Sequence, residues 1–209
     1  MISFLDNFKA DEWDDRIVWV TNTPVFVDAQ MTYEFNSLRR VMTKNPRRRS
    51  SAMVEVYAHN QLENGYQKYQ EIAWKYINTH VTSIERAVTN KLWSRCLDNF
   101  KSCLIYVSDT DKTWNAIRDQ EKWNERSVLQ KQISLTEISL FDTDIDGHGL
   151  FTLDFAVGWD EEHGVSVLMH RNKVIATSSL ADFTCRGDSL LSHAKCIQQF
   201  DFSEGDLRL

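Results

Sequence analysis

The chain has 209 residues, enough for one large hydrophobic core, and its 42% hydrophobic and 26% charged residues match ordinary globular usage. A formal net charge of -6 argues against nucleic acid as a partner, because phosphate binding needs concentrated Lys and Arg. With only two prolines and seven glycines there is little room for disordered linkers, so residues 1–209 are expected to fold as one α+β domain.

The opening MISFLDNFKADEWDD has neither a basic n-region nor an apolar core, and no run reaches the roughly 18 to 20 apolar residues of a membrane helix. Neither secretion nor membrane insertion is therefore expected. Cys96, Cys103, Cys185 and Cys196 form no C-x-x-C pair and read as free thiols, with the cytoplasm as the expected location. The seven-residue spacing of Cys96 and Cys103 puts them on one helix face, as core residues.

Residues 16–28, RIVWVTNTPVFVD, predict a β hairpin turning at Thr-Asn-Thr-Pro. Helical spacing of Met31, Phe35, Leu38 and Met42 follows, until Asn45-Pro46 breaks it and Arg47, Arg48 and Arg49 occupy a loop. Val54, Ala58, Leu62, Tyr66, Tyr69, Ala73 and Tyr76 trace a helical stripe over 51–77, with Gly65 as a point of interruption and a strand at MVEVY as the alternative for its start. Thr82-Ser83-Ile84-Glu85 has the capping-box pattern, and Ile84, Val88, Leu92, Cys96, Phe100 and Cys103 then repeat at helical intervals. A polar helical segment at 111–130 carries Trp114 and Trp123 and completes a helical region over 29–130.

From Ile133 the period changes to two. Ile133, Leu135, Ile138 and Leu140, then Phe151, Leu153, Phe155, Val157 and Trp159, then Val165, Val167 and Met169, and finally Val174-Ile175-Ala176 predict a four-stranded antiparallel meander over 133–178. Residues 182–209 form a C-terminal extension. Strands at both ends and helices between them predict an α+β fold, an antiparallel sheet packed against a helical middle.

Three stretches bear on chemistry. Asp142, Asp144, Asp146 and Gly147 open like a calcium loop, but position twelve is Leu153 instead of a bidentate Glu, and the flanks read as strands; an acidic β-turn is the simpler reading. Trp159-Asp160-Glu161-Glu162-His163-Gly164 collects acids and an imidazole between two strands, as an acid/base pair, as metal ligands, or as a corner whose side chains satisfy turn backbone. Asp11, Glu12, Asp14 and Asp15 surround Trp13 in an acidic stretch suited to a cationic partner, and Trp114 and Trp123 read as packing or as partner contacts. There is no G-x-S-x-G, no glycine-rich phosphate loop, no H-E-x-x-H and no G-x-G-x-x-G.

The segment from Ile133 through Ile175, with Trp159-Asp160-Glu161-Glu162-His163-Gly164-Val165 joining two strands and a hairpin reaching Lys173-Val174-Ile175, resembles an uncharacterised bacterial domain family with a W-D-x-E-H-G signature. That resemblance implies an N-terminal β segment, a helical middle and the genomic habit of immunity proteins found beside toxins, and it carries no catalytic residue. The expected function is therefore a cytoplasmic immunity-type protein that neutralises a cognate toxin or effector by direct binding. Its expected contacts are Asp11, Glu12, Trp13, Asp14 and Asp15, with Trp159, Asp160 and Glu161 as a second patch. No cofactor is expected. The alternatives are a metal-dependent enzyme or a module binding calcium or another divalent cation, through Asp160, Glu162 and His163 with Asp142, Asp144 and Asp146, and an accessory module that self-associates through an edge strand.

Overall fold

The structure, a computed structural model, describes residues 9–13, 16–29, 52–58, 67–104, 129–130, 133–157, 160–180, 183 and 188–200. Seven strands form one sheet: β1 (Lys9–Trp13), β2 (Arg16–Thr23), β3 (Ala52–Ala58), β4 (Ile133–Ile145), β5 (His148–Val157), β6 (Asp160–His170) and β7 (Lys173–Ser178), paired in that order. Among the described residues the full helices are α1 (Lys68–Thr79), α2 (Val81–Leu104) and α3 (Asp188–Phe200). The overall class is α+β, with four of the seven strands from the C-terminal half.

The meander over 133–178 forms as its period-two pattern predicts. Three sequence expectations change. The sheet is mixed, because β3 pairs with β4 in parallel, Glu55 beside Glu137 and Val56 beside Ile138. A parallel neighbour cannot be reached by a tight turn, and the intervening chain supplies the crossover that carries α1 and α2. The hairpin expected at 16–28 is displaced: 16–23 is one strand, its hairpin partner is Lys9–Trp13, and 24–28 is a turn. Val25 and Phe26 are buried in that turn, Phe26 edge-on to Phe155 at 5.0 Å, so their apolar character reports burial in a turn. Within the expected helix over 51–77, residues 52–58 are β3; Val54 and Ala58 satisfy either period, but Val54 and Val56 share a face only in a strand, and β-branched residues fit the pleat better. The stripe Met31, Phe35, Leu38 and Met42 lies outside the described residues, and of the helical segment expected at 111–130 only 129–130 are described; they are helical, with Leu129 buried.

α1 and α2 meet at a corner one residue long. The N–H of His80 donates to the Tyr76 carbonyl at 2.9 Å, while its own carbonyl accepts from Ser83 N–H and Ile84 N–H at 3.1 Å each. α2 thus starts ahead of Thr82. Glu85 is drawn elsewhere, its Oε1 accepting from the Phe26 N–H at 2.8 Å, which ties the turn after β2 to α2. Ile84, Val88 and Leu92 are fully buried as expected, whereas the side chains of Cys96, Phe100 and Cys103 lie outside the described residues. Among the described residues no helix is long and apolar enough to cross a membrane.

The sheet is covered on both faces. Ile138, Leu140, Leu153, Phe155, Val165 and Val167 pack with Ala73, Trp74 and Ile77 of α1 and Ile84, Val88 and Leu92 of α2. Phe141, Leu150, Leu168, Ile175 and Ala176 form a second cluster with Phe183, Leu190 and Ala194, so the C-terminal extension contains a helix that seals part of the opposite face. Each large side chain removed fully from water contributes about 1.5–3 kcal/mol before conformational entropy is offset.

α1 is fixed to the sheet where β4 is irregular. Between Leu140 paired with Phe151 and Asp144 paired with Gly149, β4 has two more residues than β5, and this bulge frees carbonyls from the ladder. The Gln70 side chain is fully buried: Nε2 donates to the Leu140 carbonyl at 2.9 Å, and Oε1 accepts from the Gln67 N–H at 2.7 Å at the helix start. The Tyr69 phenol donates to the Asp142 carbonyl at 2.8 Å, and burial, followed by the Asp142 and Asp144 carboxylates, raises its pKa. A Cβ on Gly149 would lie 2.7 Å from the Tyr69 carbonyl oxygen, a backbone atom that cannot step aside. Gly149→Ala is therefore expected to lose about 1–3 kcal/mol from overpacking. Gln70→Leu should lose about 1–3 kcal/mol by stranding two buried backbone groups. Urea unfolding of each variant measures both losses, and a midpoint equal to wild type would refute the anchoring role.

Candidate functional site

The sheet's inner face, opposite α1 and α2 and sealed in part by α3, carries polar side chains in register. Glu55 stands opposite Glu137, Glu137 opposite Asp154, Asp154 opposite Ser166, and Ser166 opposite Ser178, so one row crosses β3 to β7. The next row begins Tyr57, Ser139, Thr152. Period two puts these residues on the face opposite Val54, Val56, Ile138, Leu153 and Val167. A one-residue bulge between Leu135 and Glu137 resets β4 so that Glu137 and Ser139 join this face, and Thr136 Oγ1 donates to the Asp154 carbonyl at 3.0 Å.

The row grades from water to interior. Glu55 is exposed and accepts from the Tyr57 hydroxyl at 3.2 Å; Glu137 is half-buried and accepts from Ser139 Oγ at 3.0 Å. Asp154 is buried, its carboxylate accepting from Ser166 Oγ and, at 3.2 Å, from Thr152 Oγ1. Burial raises the Asp154 carboxyl to about 6 against the pull of those two hydroxyls. Burial, then the Asp154 charge, raises Glu137 to about 7. Two carboxyls on adjacent strands thus titrate close to neutral pH, which suits them to hold a proton or to face a cation. Among the described residues no group of three or more His, Cys, Asp or Glu is placed to hold a metal ion.

The sequence-predicted residues are distributed differently. Asp11, Glu12 and Trp13 belong to β1, the terminal strand of the sheet, while Asp14 and Asp15 lie outside the described residues. Asp142 and Asp144 lie at the end of β4, and Asp146 with Gly147 forms the turn to β5. Asp146 and Gly147 have φ of 53° and 72°, the type I′ geometry that an Asp-Gly pair supplies, and Asp144 Oδ2 accepts from the Gly147 N–H at 2.8 Å. Beside that turn, Arg171 Nη2 donates to His148 Nδ1 at 2.8 Å, and His170 Nε2 donates to the Ile145 carbonyl at 3.1 Å, so the two hairpin tips are bonded together. Burial lowers the His170 pKa and favours its neutral ring.

Trp159 and the side chains of Asp160, Glu161 and Glu162 lie outside the described residues. The backbone there is a wide bulge: Phe155 pairs with Val165 and Val157 with Asp160, so residues 161–164 face a single residue of β5. His163 is exposed, and its carbonyl accepts from the Leu180 N–H at 2.8 Å. Gly164 has φ of 58°, and a Cβ there would sit 2.5 Å from Leu180 Cδ1 and 2.7 Å from the Phe155 carbonyl oxygen, so the corner admits only glycine.

Glu137 and Asp154 were not evident as a pair from the chain, although T-E-I-S-L and F-T-L-D-F carry the signal, polar residues at every second position of strands otherwise apolar. Their raised pKa values fix a sign. The folded chain retains protons that the unfolded chain releases above its ordinary carboxylate range, so stability declines as pH rises from about 4 to about 7 and is level above that. For the buried Asp154 the loss is on the order of 3 kcal/mol. Glu137→Gln and Asp154→Asn should each flatten the pH dependence of the thermal midpoint and exceed wild type at pH 8; parallel curves for all three proteins would remove the carboxyl pair as its source.

No curated protein and no solved structure shows significant similarity to the chain. The family described as a domain of unknown function (DUF6985) matches residues 29–184, which contain β3 to β7, both helices of the crossover, and every member of the carboxylate row. Its span also includes the glycine corner at 164 and the Gln70 anchor. This chain belongs to that family of domains of unknown function.

Proposed function

We propose that this chain is an immunity-type binding protein of the bacterial cytoplasm, which neutralises a toxin or effector by seating its acidic side against a cationic surface. The observation that carries the reading is where the carboxylates gather. Glu55, Glu137 and Asp154 cross the inner face from β3 to β5, and two strands away the sheet ends in β1 with Asp11 and Glu12, followed in sequence by Asp14 and Asp15. An array of one sign speeds encounter with the opposite sign and rejects like-charged partners. Trp13 adds an aromatic anchor of the kind that dominates interface energetics.

On this face the apolar cluster of α3 takes in Phe141, Leu150 and Leu168 toward the hairpin tips, whereas Glu55, Glu137 and Asp154 lie along the middle of β3 to β5. The row reaches water at Glu55, on the β3 side next to β2 and β1, which supports docking there. Co-expression with the secreted, toxin-like product of a neighbouring gene tests the reading: the two proteins should co-purify and growth should recover. Replacing Asp11, Glu12, Asp14 and Asp15 by their amides should lower the association rate by roughly tenfold or more at low salt, with a smaller difference at high salt. Growth arrest that persists in cells carrying both proteins would reject it.

A further inference from the structure

We propose that the outer edge of β1 receives an extended, basic segment of the partner as an eighth strand, so that main-chain hydrogen bonds supplement the charge attraction. This rests on the binding reading above and names the chemistry of what is bound.

Among the described residues β1 ends the strand order, paired through Lys9, Ala10, Asp11, Glu12 and Trp13 with β2 alone. Its hydrogen-bonding parity follows from the register. Trp13 opposite Arg16 closes a two-residue connection, and the closing pair of such a hairpin exchanges hydrogen bonds. Ladder bonds then recur at Asp11 with Val18 and at Lys9 with Val20, which turns the N–H and C=O of Ala10 and Glu12 to the outside. Those outward groups form the template to which a further strand adds.

Charge selects the occupant. From residue 9 to 15 one lysine stands against four carboxylates, Asp11, Glu12, Asp14 and Asp15. A second copy of the chain pairing antiparallel about Asp11 or Glu12 would bring acid opposite acid, and directly opposed like charges destabilise a sheet; only the register about Ala10 sets Lys9 against Asp11. The same acids favour a strand bearing Lys or Arg in every register. The edge thereby favours a basic strand over a second copy, which is the bias that a selective strand acceptor needs.

The test uses the full chain and a capped peptide alternating valine with lysine and arginine, with its glutamate counterpart as control. On titration with the basic peptide, hydrogen exchange at the Ala10 and Glu12 amides should slow, and binding should weaken as salt is added. Ala10→Pro removes one outward donor, leaves the β1–β2 ladder and the charge intact, and should weaken binding by roughly tenfold, the loss of about one hydrogen bond. Unchanged exchange at Ala10 and Glu12, equal binding of the acidic peptide, or undiminished binding to the Ala10→Pro chain would each overturn the proposal. A concentration-dependent dimer abolished by Ala10→Pro would overturn it in favour of a second copy. In the growth assay, rescue by wild type and equally by Ala10→Pro would discard strand addition while the immunity reading stands; failure of wild type to rescue would discard that reading, and the peptide titration still decides the edge.

Discussion

A single buried amide side chain sets the geometry on which the remaining packing depends. Gln70 bonds the start of α1 to the carbonyl of Leu140, at the point where β4 bulges and its ladder with β5 is interrupted. A buried polar group is tolerated only when its donors and acceptors are met, and here the bulge and the helix start each supply what the other lacks. Tyr69 repeats the arrangement two residues along the bulge, and Gly149 provides the space for the helix backbone to approach that closely. With α1 fixed, Ala73, Trp74 and Ile77 fall on the strand face that α2 also covers, and the one-residue corner at His80 leaves α2 little freedom of direction.

The parallel contact of β3 with β4 requires a long connection between them, and α1 and α2 within it pack on one face of the sheet. The sheet then has two faces of unequal character. One is continuously apolar from β3 to β6. On the other, Phe141, Leu150 and Leu168 meet α3 toward the hairpin tips, and Glu137, Asp154, Ser139, Thr152 and Ser166 occupy the middle of the strands. The bulge between Leu135 and Glu137 makes this division possible, since without the extra residue the acids of β4 would turn into the helical side.

How much of this was legible in the chain depends on the range of the interaction. The meander, the burial of Ile84, Val88 and Leu92, and the Asp146-Gly147 turn were readable because each is set by residues close in sequence. The strand at 52–58 was ambiguous because Val54 and Ala58, four apart, fit both periods, and the partner of Val56 at Ile138 lies about eighty residues away. The hairpin was misplaced because Lys9–Trp13 has only Ala10 and Trp13 to suggest a strand, and its pairing is decided by β2. The capping box failed to form because Glu85 found a donor in Phe26, a tertiary contact invisible to local pattern. The carboxylate row is the clearest case: Glu55, Glu137 and Asp154 become neighbours only through one parallel and one antiparallel register.

That row has an energetic consequence for any partner that brings a cation to it. Burial holds Glu137 and Asp154 partly protonated near neutral pH, and the ionised forms weigh against the fold as pH rises. An arginine or lysine placed against them reverses the balance, because an opposite charge lowers a carboxyl pKa and expels the proton. Association at this face on the proposed reading therefore releases protons and tightens as pH climbs from about 5 to about 7, the interval over which the free chain loses stability. On that proposal the same two carboxyls that weaken the unbound sheet contribute to the affinity of the bound one, and their replacement by amides removes both effects.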